Sequence, residues 1–196
     1  MKKIFIVLFL FFLFGCSKQE IVNYPAKEGP IVAFGDSLTY GNGVEAKDAY
    51  PALLEDMWHR EVINLGISGD TSLQGAARKD EIAKYHPSFV LIEFSANDFF
   101  KKIPREQTKA ALEDIVDYVQ NIGAVAVLID TGGNSLMESY KKMIKKIAKE
   151  KRAIYIDGIM DDIFNNRNLK SDSVHPNEEG YKIIAQKIDK ALKNYL

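Results

Sequence analysis

The sequence predicts a three-layer α/β/α domain built on a five-stranded parallel sheet, and three observations lead there. Five short apolar runs, rich in β-branched residues, recur between Ile31 and Asp157. Segments with helical spacing of their apolar residues separate them, and strict strand–helix alternation implies parallel strands joined by right-handed crossovers. The central runs, Val90-Leu91-Ile92 and Val125-Ala126-Val127-Leu128-Ile129, are apolar throughout rather than alternating, as strands buried on both faces must be.

The elements follow in order. Lys2-Lys3 precedes an unbroken apolar run, Ile4 to Phe14, of signal-peptide length. It falls short of the roughly 20 residues that a membrane-spanning helix needs. Leu13-Phe14-Gly15-Cys16 resembles a bacterial lipobox, so residues 1–15 read as a lipoprotein signal peptide and Cys16 as the lipidation site. Residues 16–30, polar and punctuated by Pro25, Gly29 and Pro30, read as a lipidated tether to a membrane of the bacterial cell envelope, facing the periplasm or exterior. Residues 31–196 are then the folded domain. Its expected strands are Ile31–Phe34, Val62–Leu65, Phe89–Phe94, Ala124–Asp130 and Ala153–Asp157. Its expected helices are Tyr50–Arg60, Ser72–Tyr85, Arg105–Ile122, Leu136–Lys151 and Asn177–Tyr195. Pro51 suits a first helical turn, and Pro87 stops the helix before the third strand.

Charge excludes some partners. Lys and Arg number 26 against 27 Asp and Glu, a formal net charge of −1, which offers no basic face for nucleic acid. The one basic concentration, Lys141 to Arg152, interleaves with Met143, Ile144, Ile147 and Ala148 and reads as an amphipathic helix with a solvated face. Cys16 is the single cysteine, so an intrachain disulfide cannot form. No set of residues has metal-ligand spacing.

The unusual residues fall at strand ends. Asp36-Ser37 follows the first strand, Gly66-Ile67-Ser68-Gly69-Asp70-Thr71 the second, Ser95-Ala96-Asn97-Asp98 the third and Thr131-Gly132-Gly133-Asn134 the fourth. Asp172-Ser173-Val174-His175-Pro176 precedes the last helix. In a parallel sheet these segments open on one edge, where ligands bind. A serine hydroxyl needs a base, and of three histidines His59 and His86 sit at helix ends as exposed residues. His175 stands three residues after Asp172, a spacing that lets the carboxylate reach one ring nitrogen while the other faces a hydroxyl. Gly69 and Asn97 offer a backbone N–H and a side-chain amide to an oxyanion, and the Ser37 N–H is a third donor. The Gly-x-Ser-x-Gly elbow of α/β-hydrolases is absent.

Together these blocks resemble the GDSL or SGNH hydrolases. Gly35-Asp36-Ser37-Leu38 is similar to the first block of that family, Gly69 lies in the second, Asn97 in the third, and Asp172 with His175 in the last. Tyr50-Pro51-Ala52-Leu53-Leu54 and Ser68-Gly69-Asp70-Thr71-Ser72 resemble its bacterial thioesterase branch, whose members hydrolyse acyl thioesters, aryl esters and lysophospholipids. The resemblance implies a flavodoxin-like SGNH fold, a catalytic triad of Ser37, Asp172 and His175, and an oxyanion hole of Ser37, Gly69 and Asn97. It implies a small-molecule ester or lipid substrate and no cofactor. Leu73, Phe99, Phe100, Ile103 and Met137 are expected to line an acyl groove. Two departures bear on specificity. Ser95-Ala96 stands where the family usually has two glycines, and Thr131 to Asn134 is more polar than usual. An O-acetylesterase acting on glycans and a non-catalytic binding lipoprotein are the alternatives to a long-chain acyl esterase.

Overall fold

The computed structural model describes residues 20–132 and 135–196. Residues 1–15, expected as a signal peptide, and Cys16 lie outside them, as do Gly133 and Asn134. The five strands form: β1 (Ile31–Gly35), β2 (Val62–Asn64), β3 (Phe89–Glu93), β4 (Val125–Ile129) and β5 (Ile154–Ile156). They pair in the order β2-β1-β3-β4-β5, every pair parallel. The three central strands are buried along their whole length, which is why their sequences are continuously apolar.

Because side chains alternate across a strand, β1 feeds two cores. Ile31 and Ala33 join Phe89, Leu91, Val125 and Val127 on one face, covered by α2 (Tyr50–Trp58) and α7 (Glu178–Leu192). Val32 and Phe34 join Val90, Ile92, Ala126 and Leu128 on the other, covered by α5 (Arg105–Asn121) and α6 (Glu138–Glu150). The three layers follow. On α6 the apolar stripe Met143, Ile144, Ile147 and Ala148 is buried, while Lys142 and Lys146 pair with Glu138 and Glu150 on the outside.

Three expectations need correction. The segment Ser72–Tyr85 is not one helix: α3 (Ser72–Ala77) stops at Arg78, and a tighter 3₁₀ coil runs from Lys79 to Tyr85. Arg78 leaves helical geometry because its guanidinium turns inward to Asp70 Oδ2 at 2.8 Å, Leu65 O at 2.9 Å and Gly35 O at 3.1 Å. That chelation ties the ends of β1 and β2 together. Secondly, the helix that starts at Ser37 is a single turn, α1 (Ser37–Tyr40), and a further short helix, α4 (Ala96–Phe100), follows β3 where the sequence suggests only a loop. Thirdly, residues 20–30, the described part of the expected tether, are irregular but not loose. Val22 N donates to Arg152 O at 3.0 Å, Asn23 Nδ2 to Gln120 O at 2.8 Å and Ala124 O at 2.9 Å, and Lys27 Nζ to Ile122 O at 2.9 Å. Ile21 and Ala26 pack on the core. The segment closes the edge of the sheet where strands begin. Among the described residues no helix is long and apolar enough to cross a membrane.

Candidate active site

The opposite edge, where the strands end, gathers the polar blocks. At the end of β1 the chain must turn hard into α1. Asp36 caps that helix, its Oδ1 accepting the Leu38 N–H at 3.1 Å. Gly35 is required just before, since a Cβ there would lie 2.6 Å from the Glu93 carbonyl oxygen and closer still to the Thr39 hydroxyl. The turn presents Ser37 as the first residue of α1.

The loop before α7 supplies the partner. His175 Nε2 lies 3.0 Å from Ser37 Oγ, and Nδ1 lies 2.7 Å from Asp172 Oδ2. The other carboxylate oxygen, Oδ1, accepts the Val174 N–H at 2.8 Å and the His175 N–H at 2.7 Å, folding the loop round the acid. Partial burial pushes the Asp172 carboxyl up, but the His175 ring and N–H and the Val174 N–H outweigh it and hold the group at about 2. It is a permanent anion under ordinary conditions. The Asn177 side chain starts α7 by accepting the Gly180 N–H at 3.1 Å, which fixes where the loop ends.

Three donors stand around Ser37. The Ser37 and Gly69 N–H groups hydrogen-bond to nothing among the described residues. Gly69 has a φ of +84°, a left-handed turn, and a Cβ built on it would meet nothing within 4 Å. Asn97, on α4, is differently placed: its Nδ2 already donates to Asp36 Oδ2 at 3.0 Å and Asp70 O at 2.9 Å. Its amide is held in position by both bonds. Asp98 beside it is buried and accepts the Ser72 N–H at 2.9 Å and the Thr108 hydroxyl at 2.9 Å, which locks α4 to α3 and α5.

A cavity of about 280 Å³ opens beside Ser37 and His175. Leu38, Phe100, Met137, Met160, Phe164 and Val174 give it an apolar lining. Of the five residues expected in an acyl groove, Phe100 and Met137 are there. Leu73 instead faces a separate depression between α3 and α5. Phe99 lies outside the cavity, its ring edge-on both to Phe100 at 5.6 Å and to Tyr140 at 6.0 Å. Ile103, just past α4, does not reach the cavity, and its carbonyl accepts from Tyr140 Oη at 3.3 Å. Met160 and Phe164 were missed; their signal was an apolar pair four apart in the stretch after β5 that had no element assigned. Of the two residues that stand where the family usually has glycines, Ser95 does not crowd the cavity, because its side chain is fully buried, and only Ala96 borders it.

Known proteins resemble this chain in sequence and fold. Residues 33–183 match the GDSL-like lipase/acylhydrolase family. The chain is 32% identical to thioesterase 1/protease 1/lysophospholipase L1 of Escherichia coli, covering 83% of each chain. It is 26% identical to an arylesterase of Vibrio mimicus, over 96% of this chain and 97% of that one. Its fold superposes on the crystal structure of TesA with a TM-score of 0.81, at 22% identity, over 85% of this chain and 99% of that one. The chain belongs to the GDSL-like lipase/acylhydrolase family, a family of ester-hydrolysing enzymes.

Proposed function

We propose that the protein is a serine esterase that cleaves carboxylic esters, with thioesters and lysophospholipids also within its chemistry, through an acyl-enzyme. The observation that carries this reading is the hydrogen-bonded line from Asp172 through His175 to Ser37 at the mouth of an apolar cavity. Ser37 Oγ attacks the acyl carbonyl as His175 Nε2 takes its proton. Asp172 holds the ring with Nδ1–H toward it and stabilises the imidazolium that forms. The Ser37 and Gly69 N–H groups and the Asn97 amide receive the oxyanion. His175 then protonates the departing alkoxide or thiolate. The same nitrogen deprotonates a water that attacks the acyl-enzyme, releasing the acid and the serine. These steps call on no metal or organic cofactor.

The cavity lining supports an acyl chain longer than acetyl, lying between Phe100, Met137, Met160 and Phe164. The thioesterase and lysophospholipase activities named for the Escherichia coli relative support the same substrate class. Hydrolysis of p-nitrophenyl esters from acetate to palmitate tests it. A rate that rises past acetate and falls toward palmitate is expected. A collapse beyond acetate would point to an O-acetylesterase and defeat the acyl-chain reading.

We further propose that Cys16 carries a lipid that ties the domain to an envelope membrane, a reading supported by Leu13-Phe14-Gly15-Cys16. Incorporation of labelled palmitate, lost in Cys16→Ser, is the expected result; unlabelled wild-type protein would contradict it.

A further inference from the structure

Below Ser37 lies a pair of carboxyl groups that the steps above do not use. Glu93, the last residue of β3, is in register with Gly35, which brings its side chain beside Asp36. Both acids are buried, with 1% of Asp36 and none of Glu93 exposed. The Thr39 hydroxyl donates to Glu93 Oε2 at 3.1 Å and the Thr131 hydroxyl to Oε1 at 3.1 Å. Asp36 accepts the Leu38 N–H on one oxygen and the Asn97 amide on the other.

No cation hydrogen-bonds to either acid among the described residues. Arg78 reaches the Gly35 carbonyl but spends its charge on Asp70. The other titratable groups facing the pair are Tyr50 of α2, whose hydroxyl is 2.8 Å from Thr39 Oγ1, and Tyr181 of α7, with Asp172 and His175 beyond Ser37. Two carboxylates side by side in a dry site do not both ionise. Burial first, then the Glu93 charge, pushes Asp36 well above the usual carboxylate range. Burial also raises Glu93, while hydrogen bonds from Asp36 and the two threonines pull it back.

We infer that Asp36 and Glu93 hold one proton between them, and that this singly charged pair positions the Asn97 amide at the oxyanion site beside Ser37. The inference rests on the serine-esterase reading. A doubly ionised pair would set a second negative charge against the oxyanion as it forms. It would also grip the Asn97 N–H that the oxyanion must share. With one proton in the pair, Asn97 is oriented by Asp36 and Asp70 O yet free to share its donor. Asp36 is then a positioning residue, with Glu93 as its partner.

Infrared difference spectroscopy on the full chain at about pH 8, where Asp130 (about 6) is ionised, tests the shared proton. The wild type is expected to show a protonated-carboxyl stretch that Asp36→Asn and Glu93→Gln each abolish. Kinetics with p-nitrophenyl acetate test the positioning. Glu93→Gln, whose amide donates in place of the shared proton, should keep kcat within about threefold, whereas Glu93→Leu and Asp36→Ala should lower it at least ~10-fold with KM within about twofold. Absence of the stretch in the wild type would overturn the inference. So would Glu93→Gln falling as far as Glu93→Leu, or Asp36→Ala at wild-type kcat. Should Glu93→Leu fail to fold, Asp36→Ala and the infrared band still decide. Wild-type protein that cleaves no ester would defeat the esterase reading instead, leaving the infrared result to judge the proton.

Discussion

The two edges of the sheet are built to opposite standards. Where the strands begin, polar groups find partners: Asn23 spans Gln120 and Ala124, Arg60 bonds the Gly29 carbonyl at 2.9 Å and the Ser88 hydroxyl at 2.8 Å, and Lys151 pairs with Asp117. Where the strands end, groups are left in unfavourable states. Asp36 and Glu93 share a dry site, and both Asp130 oxygens are buried with no well-formed hydrogen bond among the described residues, only the pull of the Gly132 and Gly158 N–H groups. Ser95 holds a φ of 139°, a conformation that favours glycine, with its hydroxyl buried and unpartnered among the described residues. One edge pairs these polar side chains, and its left-handed residues Asn23, His59, His86 and Arg152 hold φ of only 48° to 61°. The other gives up stability to hold a reactive constellation, a division expected where backbone strain and buried charge gather at working sites.

Substitutions on the two edges sharpen that contrast. The largest effect belongs to His175→Ala, which removes the proposed base and should lower kcat by about 10⁴- to 10⁶-fold while the melting temperature hardly moves. Asn97→Ala takes away one proposed oxyanion donor and should cost about 10²- to 10³-fold in kcat. Asn23→Ala, on the other edge, should do the reverse. Losing its two hydrogen bonds to backbone carbonyls should cost about 2 kcal/mol in denaturant unfolding with ester hydrolysis unaffected. Equal losses of activity from Asn23→Ala and Asn97→Ala would break the comparison.

The remaining effects are gains, confined to the reactive edge. Burial raises the Asp130 carboxyl to about 6, with the Gly132 and Gly158 N–H groups pulling it back. A carboxyl whose folded pKa lies above its unfolded value costs stability once both are ionised. That cost is absent below about pH 4 and grows as pH rises toward 6. Asp130→Asn should therefore come close to the wild type near pH 4 and exceed it by about 3 kcal/mol at pH 7. Ser95→Gly should stabilise by about 1 kcal/mol by relieving the strained backbone and removing the unpartnered hydroxyl. Thermal melts across pH check both.

Much of this was legible in the residues, and the illegible parts share a cause. The central strands announced themselves through unbroken apolar runs, and Ser37, Gly69, Asn97, Asp172 and His175 through blocks at strand ends. Arg78 did not, because nothing local says that a residue in a helical pattern will turn inward to close two loops. Glu93 looked like the polar end of a strand; only the β1–β3 register reveals Asp36 beside it. Phe99 and Phe100 were indistinguishable in sequence, yet a short helix turns one to Tyr140 and the other to the cavity. The stretch before Ile31 read as a tether because its composition is polar, and the carbonyls that bind Asn23 lie about a hundred residues away. Local pattern carried the elements, and long-range pairing carried everything else.

The central claim is that Ser37 is a nucleophile activated by His175. Labelling with a fluorophosphonate probe, followed by mass spectrometry of the peptides, tests it most directly. One adduct per chain, on Ser37 and greatly slowed in His175→Ala, is the result expected. An intact, folded protein that takes up no label, or takes it up on another residue, would contradict the account.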